Sequence, residues 1–164
     1  MPTHTKVSVD DIVLAKTGPA AWAAATKIQE PRVPAGGVAD LAKALSDPDP
    51  VTRGLAAMAL RNQGAAAQPA LPQLTAALKD SDPNVRLMAG NAIAAIGKGA
   101  APAVPALIAA CSVKGEQIHV LRACASALGA IGKPAATPAL PVLKELAKMP
   151  RVKWAADRAI LSIE

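Results

Sequence analysis

The sequence predicts an all-α fold: a right-handed α-solenoid (an α-α superhelix) of about four helix pairs behind an N-terminal helical cap. Three observations carry that prediction. First, a phrase recurs with variation four times: an apolar run, with Leu-Pro or Val-Pro in the later copies, a short polar break, then an Ala-rich run that closes on Ile-Gly at 96–97 and 131–132, fullest over 71–97. Second, Pro72, Pro105 and Pro141 lie 33 and 36 residues apart, and Gly64, Gly97 and Gly132 lie 33 and 35 apart. A period of that length marks stacked supersecondary units. Third, the chain is 52% hydrophobic but only 1% aromatic, with Ala supplying about a quarter of it. Close helix contact must replace bulky side chains in filling space, and no β-branched or aromatic alternation suggests strands. At 164 residues with 18% charged, the chain has the length and apolar content of one domain with a buried core.

Residues 1–35 read as a degenerate terminal unit and linker. Ser8-Val9-Asp10-Asp11 resembles a helix start, 12–16 and 19–29 read as two helices, and Trp22 is expected to cover them. Terminal units of an array depart from the repeat because their outer face must be polar. The stretch 30–37, rich in Pro and Gly, is the one loop of substance. Four units follow, 36–64, 65–97, 98–132 and 133–164.

The second helix of each unit carries the clearest period. Val85, Met88, Ala89, Ala92, Ile93 and Ile96 recur at i, i+3, i+4, i+7, i+8 and i+11, the stripe of a helix with one buried face. The matching sets are Thr52, Leu55, Ala56, Ala59, Leu60 and Gln63; Val120, Ala123, Cys124, Ala127, Leu128 and Ile131; and Val152, Ala155, Ala156, Ala159, Ile160 and Ile163. Asp49-Pro50 and Asp82-Pro83 place a capping acceptor before a proline at the first helical position, so they start helices. Gly64, Gly97 and Gly132 fall just past the stripes, where a left-handed residue commonly stops a helix. Pro72, Pro105 and Pro141, each with a second proline three residues earlier, predict a bent or staggered first helix. The last stripe ends at Glu164 without a cap, as in an array packed against a neighbour or cut from a longer polypeptide.

Composition narrows function. A net charge of +6 and a pI near 9.6 bias the chain toward acidic partners, but no block of five or six like charges forms a polybasic tail. Cys111 and Cys124 show no metal or redox spacing and read as core fillers. Neither GxSxG, a phosphate-binding glycine loop nor HExxH is present. His4 and His119 fall in separate elements, with His119 read as a solvated helix-start residue, and Asp47, Asp49, Asp80 and Asp82 read as helix caps. No catalytic residue, metal ligand or cofactor is therefore assigned. No apolar stretch at the N-terminus reads as a signal peptide, and no membrane span is visible. That favours the cytoplasm, although a chain trimmed of its signal would read identically.

The pattern Leu-Pro-x-Leu, Leu-Lys-Asp, Asp-Pro-x-Val-Arg, Ala-x-x-Ala-Ile-Gly in 71–97 resembles a HEAT repeat, and is similar to the short bacterial form also found in phycobilin lyases. The resemblance covers about residues 36–164. It implies a scaffold that holds protein partners, and a turn Asp and Arg forming a ladder between units, here Asp49 with Arg53 and Asp82 with Arg86. The third copy has about two extra residues around Val113–Gln117 and Leu121 in place of the arginine. The fourth is shortened and carries Lys153. The ladder is accordingly expected to break after the second unit.

Second helices of such arrays usually line the concave side, so candidate binding residues lie off the stripe: Met58, Arg61, Leu87, Asn91, Arg122, Ser126, Trp154 and Arg158. Gly90, Ala94, Ala125 and Gly129 are read with them as a small-residue floor, and Gly54, Ala57, Asp157 and Leu161 share the face. Such a groove would admit an acidic peptide or helix, with Trp and Arg as anchors. The function expected is a non-catalytic interaction scaffold or accessory subunit. The alternative is a nucleic-acid-binding protein with a basic concave face, as in HEAT-like alkylpurine DNA glycosylases. It lacks Tyr and Phe to stack on bases.

Overall fold

The computed structural model describes residues 36–164. They form α1 (Val38–Ala44), α2 (Pro50–Gln63), α3 (Leu71–Ala77), α4 (Pro83–Ile96), α5 (Val104–Cys111), α6 (Ile118–Ile131), α7 (Leu140–Leu146) and α8 (Lys153–Ile163). Short 3-10 segments, Gly64–Ala70, Gly97–Ala103 and Thr137–Ala139, join the pairs. No strand occurs among the described residues. The expected cap over 1–35, with Trp22 and His4, lies outside them.

Local chemistry accounts for the boundaries. The Asp49 carboxylate accepts from the N–H groups of Val51 and Thr52, and Asp82 accepts from Asn84 and Val85, each just ahead of a proline. The first helices are bent as the paired prolines predict: in the second and third units, a 3-10 segment holding Pro69 or Pro102 runs into an α-helix with Pro72 or Pro105 in its first turn. The stop glycines differ from expectation. Gly64, Gly97 and Gly132 have φ of 56, 69 and 67° but ψ of −132, −135 and −172°, the mirror image of extended backbone rather than left-handed α. Only glycine adopts that region without strain. The run Pro83–Cys111 has the length and hydropathy of a membrane span, yet it comprises α4, a 3-10 segment and α5, interrupted at Gly97.

Successive second helices, α2, α4, α6 and α8, pack along one another, whereas successive first helices scarcely touch. The second-helix layer is thus the tighter one and forms the inner, concave side of the described array. Between the layers lie Leu60, Leu74, Val85, Ile93, Leu107, Val120, Leu128, Leu143 and Val152, all fully buried. Cys111 and Cys124 are buried among them as free thiols. Hydrogen bonding with Cys111, together with burial, pushes the Cys124 thiol up, so it stays protonated and unreactive.

The stripe is nearly as read, with one systematic correction. Gln63 is exposed, while Ala57, Gly90 and Ala125, assigned to the open face, are buried. The reason is packing. A Cβ on Gly90 would lie 3.0 Å from the Ala123 Cβ, and one on Gly129 2.9 Å from the Ala159 Cα. Gly90 is a contact point between second helices rather than a groove floor, whereas Gly129 both touches α8 and lines a hollow on the concave face. Gly54, by contrast, has open space where its Cβ would be. Gly54→Ala is therefore expected to raise stability by about 0.5–1 kcal/mol in a urea melt, through helix propensity alone. No gain would place a hidden contact there.

The ladder forms with other carboxylates than those expected. Arg53 donates from Nε and Nη2 to Asp80 at 2.7 and 2.8 Å and from Nη1 to the Asp47 carbonyl. Arg86 repeats the geometry one unit on, to both Glu116 oxygens at 2.8 Å and to the Asp80 carbonyl. Asp49 and Asp82 are engaged instead by the caps. The ladder also reaches the third unit, because its extra residues carry Glu116 into the place Asp80 holds in the second. It ends there. Leu121 offers no guanidinium, and Lys153 pairs within its own helix with Asp157 at 3.0 Å.

The hydrogen bonds from Arg53 and Arg86 hold Asp80 and Glu116 below their ordinary values of 3.8 and 4.5. A depressed carboxylate adds stability that is complete above its unfolded value and disappears as pH falls through its folded one. Stability should therefore decline on acidification below about pH 4.5, with a shallower decline in Glu116→Gln. Identical acid limbs in the two chains would contradict the rung. Glu116 is covered, with 5% of its side chain exposed, but it lies near the surface, so Arg86→Ala is expected to cost about 1–2 kcal/mol rather than the full penalty of a deep charge.

Candidate functional site

The concave layer presents two adjoining hollows. The first, about 310 Å³, is lined by Leu87 and Asn91 of α4, His119, Arg122, Ala123 and Ser126 of α6, and Trp154 of α8. The second, about 330 Å³, lies between α6 and α8, where Ser126, Gly129 and Ala130 face Trp154, Arg158 and Ser162. Ser126 and Trp154 belong to both. Helical spacing explains the set: His119, Arg122 and Ser126 fall at i, i+3 and i+7 on α6, and Trp154, Arg158 and Ser162 at i, i+4 and i+8 on α8, one face of each helix.

Arg122 lines the first hollow, with its guanidinium carbon 5.6 Å from the centre of the Trp154 ring that both hollows share, within reach of the ring's negative face. Trp154 is 54% exposed, so it does not seal the end of the core; Ala155, Ala156 and Ala159 beside it are the buried residues. No carboxylate among the described residues lines either hollow. Among the described residues neither Arg122 nor Arg158 forms an ion pair, in contrast to Arg53 and Arg86.

Of the eight residues proposed from sequence, Leu87, Asn91, Arg122, Ser126, Trp154 and Arg158 are brought together. Met58 lies apart, in an apolar hollow of about 250 Å³ between α2 and α4 with Val51, Gly54, Leu55 and Met88. Arg61 is exposed and lines none of these hollows. His119 is exposed at the second position of α6, as the helix-start reading expects, and it also lines the arginine's hollow, which its place at i−3 from Arg122 signals. Met88 belongs to the stripe yet is only half-buried, which a stripe assignment alone does not reveal.

A larger hollow, about 450 Å³, opens where the third unit's extra residues part the α3–α4 turn from α5, between Leu78, Ala106, Ala109 and Val113. Its charged rim is Lys79 with Asp80 and the Arg86–Glu116 rung; the carboxylates there are already engaged by Arg53 and Arg86, so this rim is of mixed charge, unlike the concave face.

Known proteins agree with this architecture. The HEAT-repeat family profile matches residues 38–113 and 71–164. Among solved structures, an engineered protein superposes with a TM-score of 0.65 at 25% identity over 76% of this chain and 61% of its own. Human deoxyhypusine hydroxylase, solved with glycerol, gives 0.61 at 32% identity over 76% of this chain and 42% of its own. A second engineered protein gives 0.58 at 26% identity over 77% and 37%. The chain thus spans between about two fifths and three fifths of the length of these neighbours. Comparison with curated proteins returns no match. The family match is to HEAT repeats as such and does not single out the short bacterial form. With helix pairs stacked in two layers, an arginine ladder at their turns and a profile match spanning 38–164, the chain belongs to the HEAT-repeat family, a helical repeat scaffold.

Proposed function

We propose that this chain is a non-catalytic protein-interaction module whose concave face binds an acidic peptide or helix. The observation that carries the reading is Arg122, laid over the exposed Trp154 ring that two hollows share, neither of them lined by a carboxylate among the described residues. Tryptophan and arginine are the residues that most often dominate interface energies. A guanidinium already placed by an aromatic face loses little freedom on meeting a carboxylate. Leu87 and the Trp154 ring supply apolar area beside it.

The non-catalytic part rests on the chemistry of the lining. Neither hollow holds a carboxylate or thiol beside His119. Ser126 lies seven residues further along α6, about 10 Å away at the helical rise, beyond hydrogen-bond reach of the imidazole. The hydroxylase named among the neighbours is matched over 42% of its length, and its activity is not carried over. The nucleic-acid reading draws on the net charge of +6. It is less well supported because His119, Arg122 and Arg158 cluster at one end instead of tracking a backbone.

The test is affinity purification from the native source, with wild type and an Arg122→Ala/Trp154→Ala chain as parallel baits. The expected result is stoichiometric recovery of a protein by wild type, a loss of about tenfold or more in the variant, and melts agreeing within about 0.5 kcal/mol. Equal recovery by both baits moves the site off this face. Nanomolar affinity for duplex DNA that falls steeply with salt favours the nucleic-acid reading.

A further inference from the structure

We infer that the groove is polarised and takes its peptide in one alignment, with an apolar side chain between α2 and α4 and an acidic cluster over α6 and α8, about five extended residues away. The inference rests on the peptide-binding reading and adds the partner's chemistry and spacing. The two ends of the concave layer are chemically unlike. Between α2 and α4 the hollow is walled by Val51, Leu55, Met58 and Met88, and Val51 is 51% exposed. No cation among the described residues lines that hollow. Its acid, Asp82, is engaged by the N–H groups of Asn84 and Val85. Methionine side chains adapt to varied apolar shapes, so this end suits an aliphatic or aromatic residue.

The other end reverses the chemistry. His119, Arg122 and Arg158 converge on hollows without a carboxylate, and Asp157 of the same helix lines neither, being paired with Lys153. Charge complementarity calls for Asp or Glu there. Packed helices run about 8–10 Å apart, so the two centres, two helix spacings apart, are separated by roughly 16–20 Å. An extended chain advances about 3.3–3.6 Å per residue, which sets the interval at about five residues. A nucleic-acid strand has phosphate along its whole length, and the methionine-lined end offers it no described cation.

The test pans a phage library of random 12-residue peptides on the immobilised full chain in about 0.15 M salt, where only close charges still count. Enriched peptides are then measured by fluorescence polarisation against wild type, Trp154→Ala, Arg122→Ala/Arg158→Ala and Val51→Glu, a substitution at an exposed position. Enrichment of an apolar residue about four to six positions from two or more acids is the expected result. The arginine variant should weaken binding about tenfold or more, and converting the peptide's acids to amides should abolish that difference while leaving sensitivity to Val51→Glu. Peptides that lose binding to Trp154→Ala but lack the pattern would overturn the polarity and leave peptide binding standing. No enrichment, indifference to Trp154→Ala, or displacement by a 12-base-pair DNA duplex at the same salt would overturn both.

Discussion

Ile93→Asp is expected to abolish the cooperative thermal transition of the central units. Ile93 has no exposed surface and sits in the contact between α4 and its neighbours on both layers. The substitution removes a buried aliphatic side chain and puts an ionisable group where no cation or donor is positioned to receive it. Breaking the core in this way costs about 4 kcal/mol or more, a large part of the 5–15 kcal/mol typical of a whole domain. Stability in a repeat array is transmitted from neighbour to neighbour, so a lesion in α4 uncouples the units on either side. Circular dichroism reads the outcome. Ile93→Val, which keeps the shape and loses one methyl, should cost about 1 kcal/mol, and an unchanged melt for the aspartate chain would contradict the stripe.

Gly129→Leu should be nearly as damaging, for the opposite reason. The first side-chain carbon alone would stand 2.9 Å from the Ala159 Cα, and backbone cannot swing aside as a flexible side chain can. Helices α6 and α8 must separate, and overpacking of this kind costs about 3 kcal/mol, well above the propensity gained by replacing a helical glycine. Because Gly129 also borders the hollow shared by Ser126 and Trp154, the same variant should widen the groove and weaken partner binding. Urea denaturation measures the first effect. A midpoint equal to wild type would mean that the two helices are not in contact at this glycine.

These two sites show where the sequence was legible and where it was not. Ile93 could be assigned to the core from spacing alone, because a 3.6-residue period places it among Val85, Ala89 and Ile96 whatever the neighbours are. All six stripe residues of α6 from Val120 to Ile131 are buried for the same reason, although Leu121 and Ala125, which the stripe leaves out, are buried with them. Gly129 could not be so assigned. Both a bare groove floor and a close helix contact call for small residues, and Gly129 serves as both, which only its distance to Ala159 and its place in the hollow reveal. The ladder shows a related limit. That Arg53 and Arg86 reach a neighbouring unit followed from the family pattern, but which carboxylate they meet depends on the path of the turns. Glu116 comes from the very residues that looked like an interruption. At the site, Arg122, Trp154 and Arg158 were visible as residues left over by the stripe, whereas His119 needed the helix start to be located first.

The claim on which the functional reading depends is that partners meet this protein on the inner helix layer, at Arg122 and Trp154. The most direct measurement is site-specific photo-crosslinking in the native source, with the photoreactive residue at the exposed Ser126, between the hollows, or at the exposed Lys144 on α7 of the outer layer. The account predicts a discrete protein adduct from position 126, lost when Trp154 is alanine, and none from position 144. Adducts from 144 alone, or adducts from 126 that persist without Trp154, would contradict it.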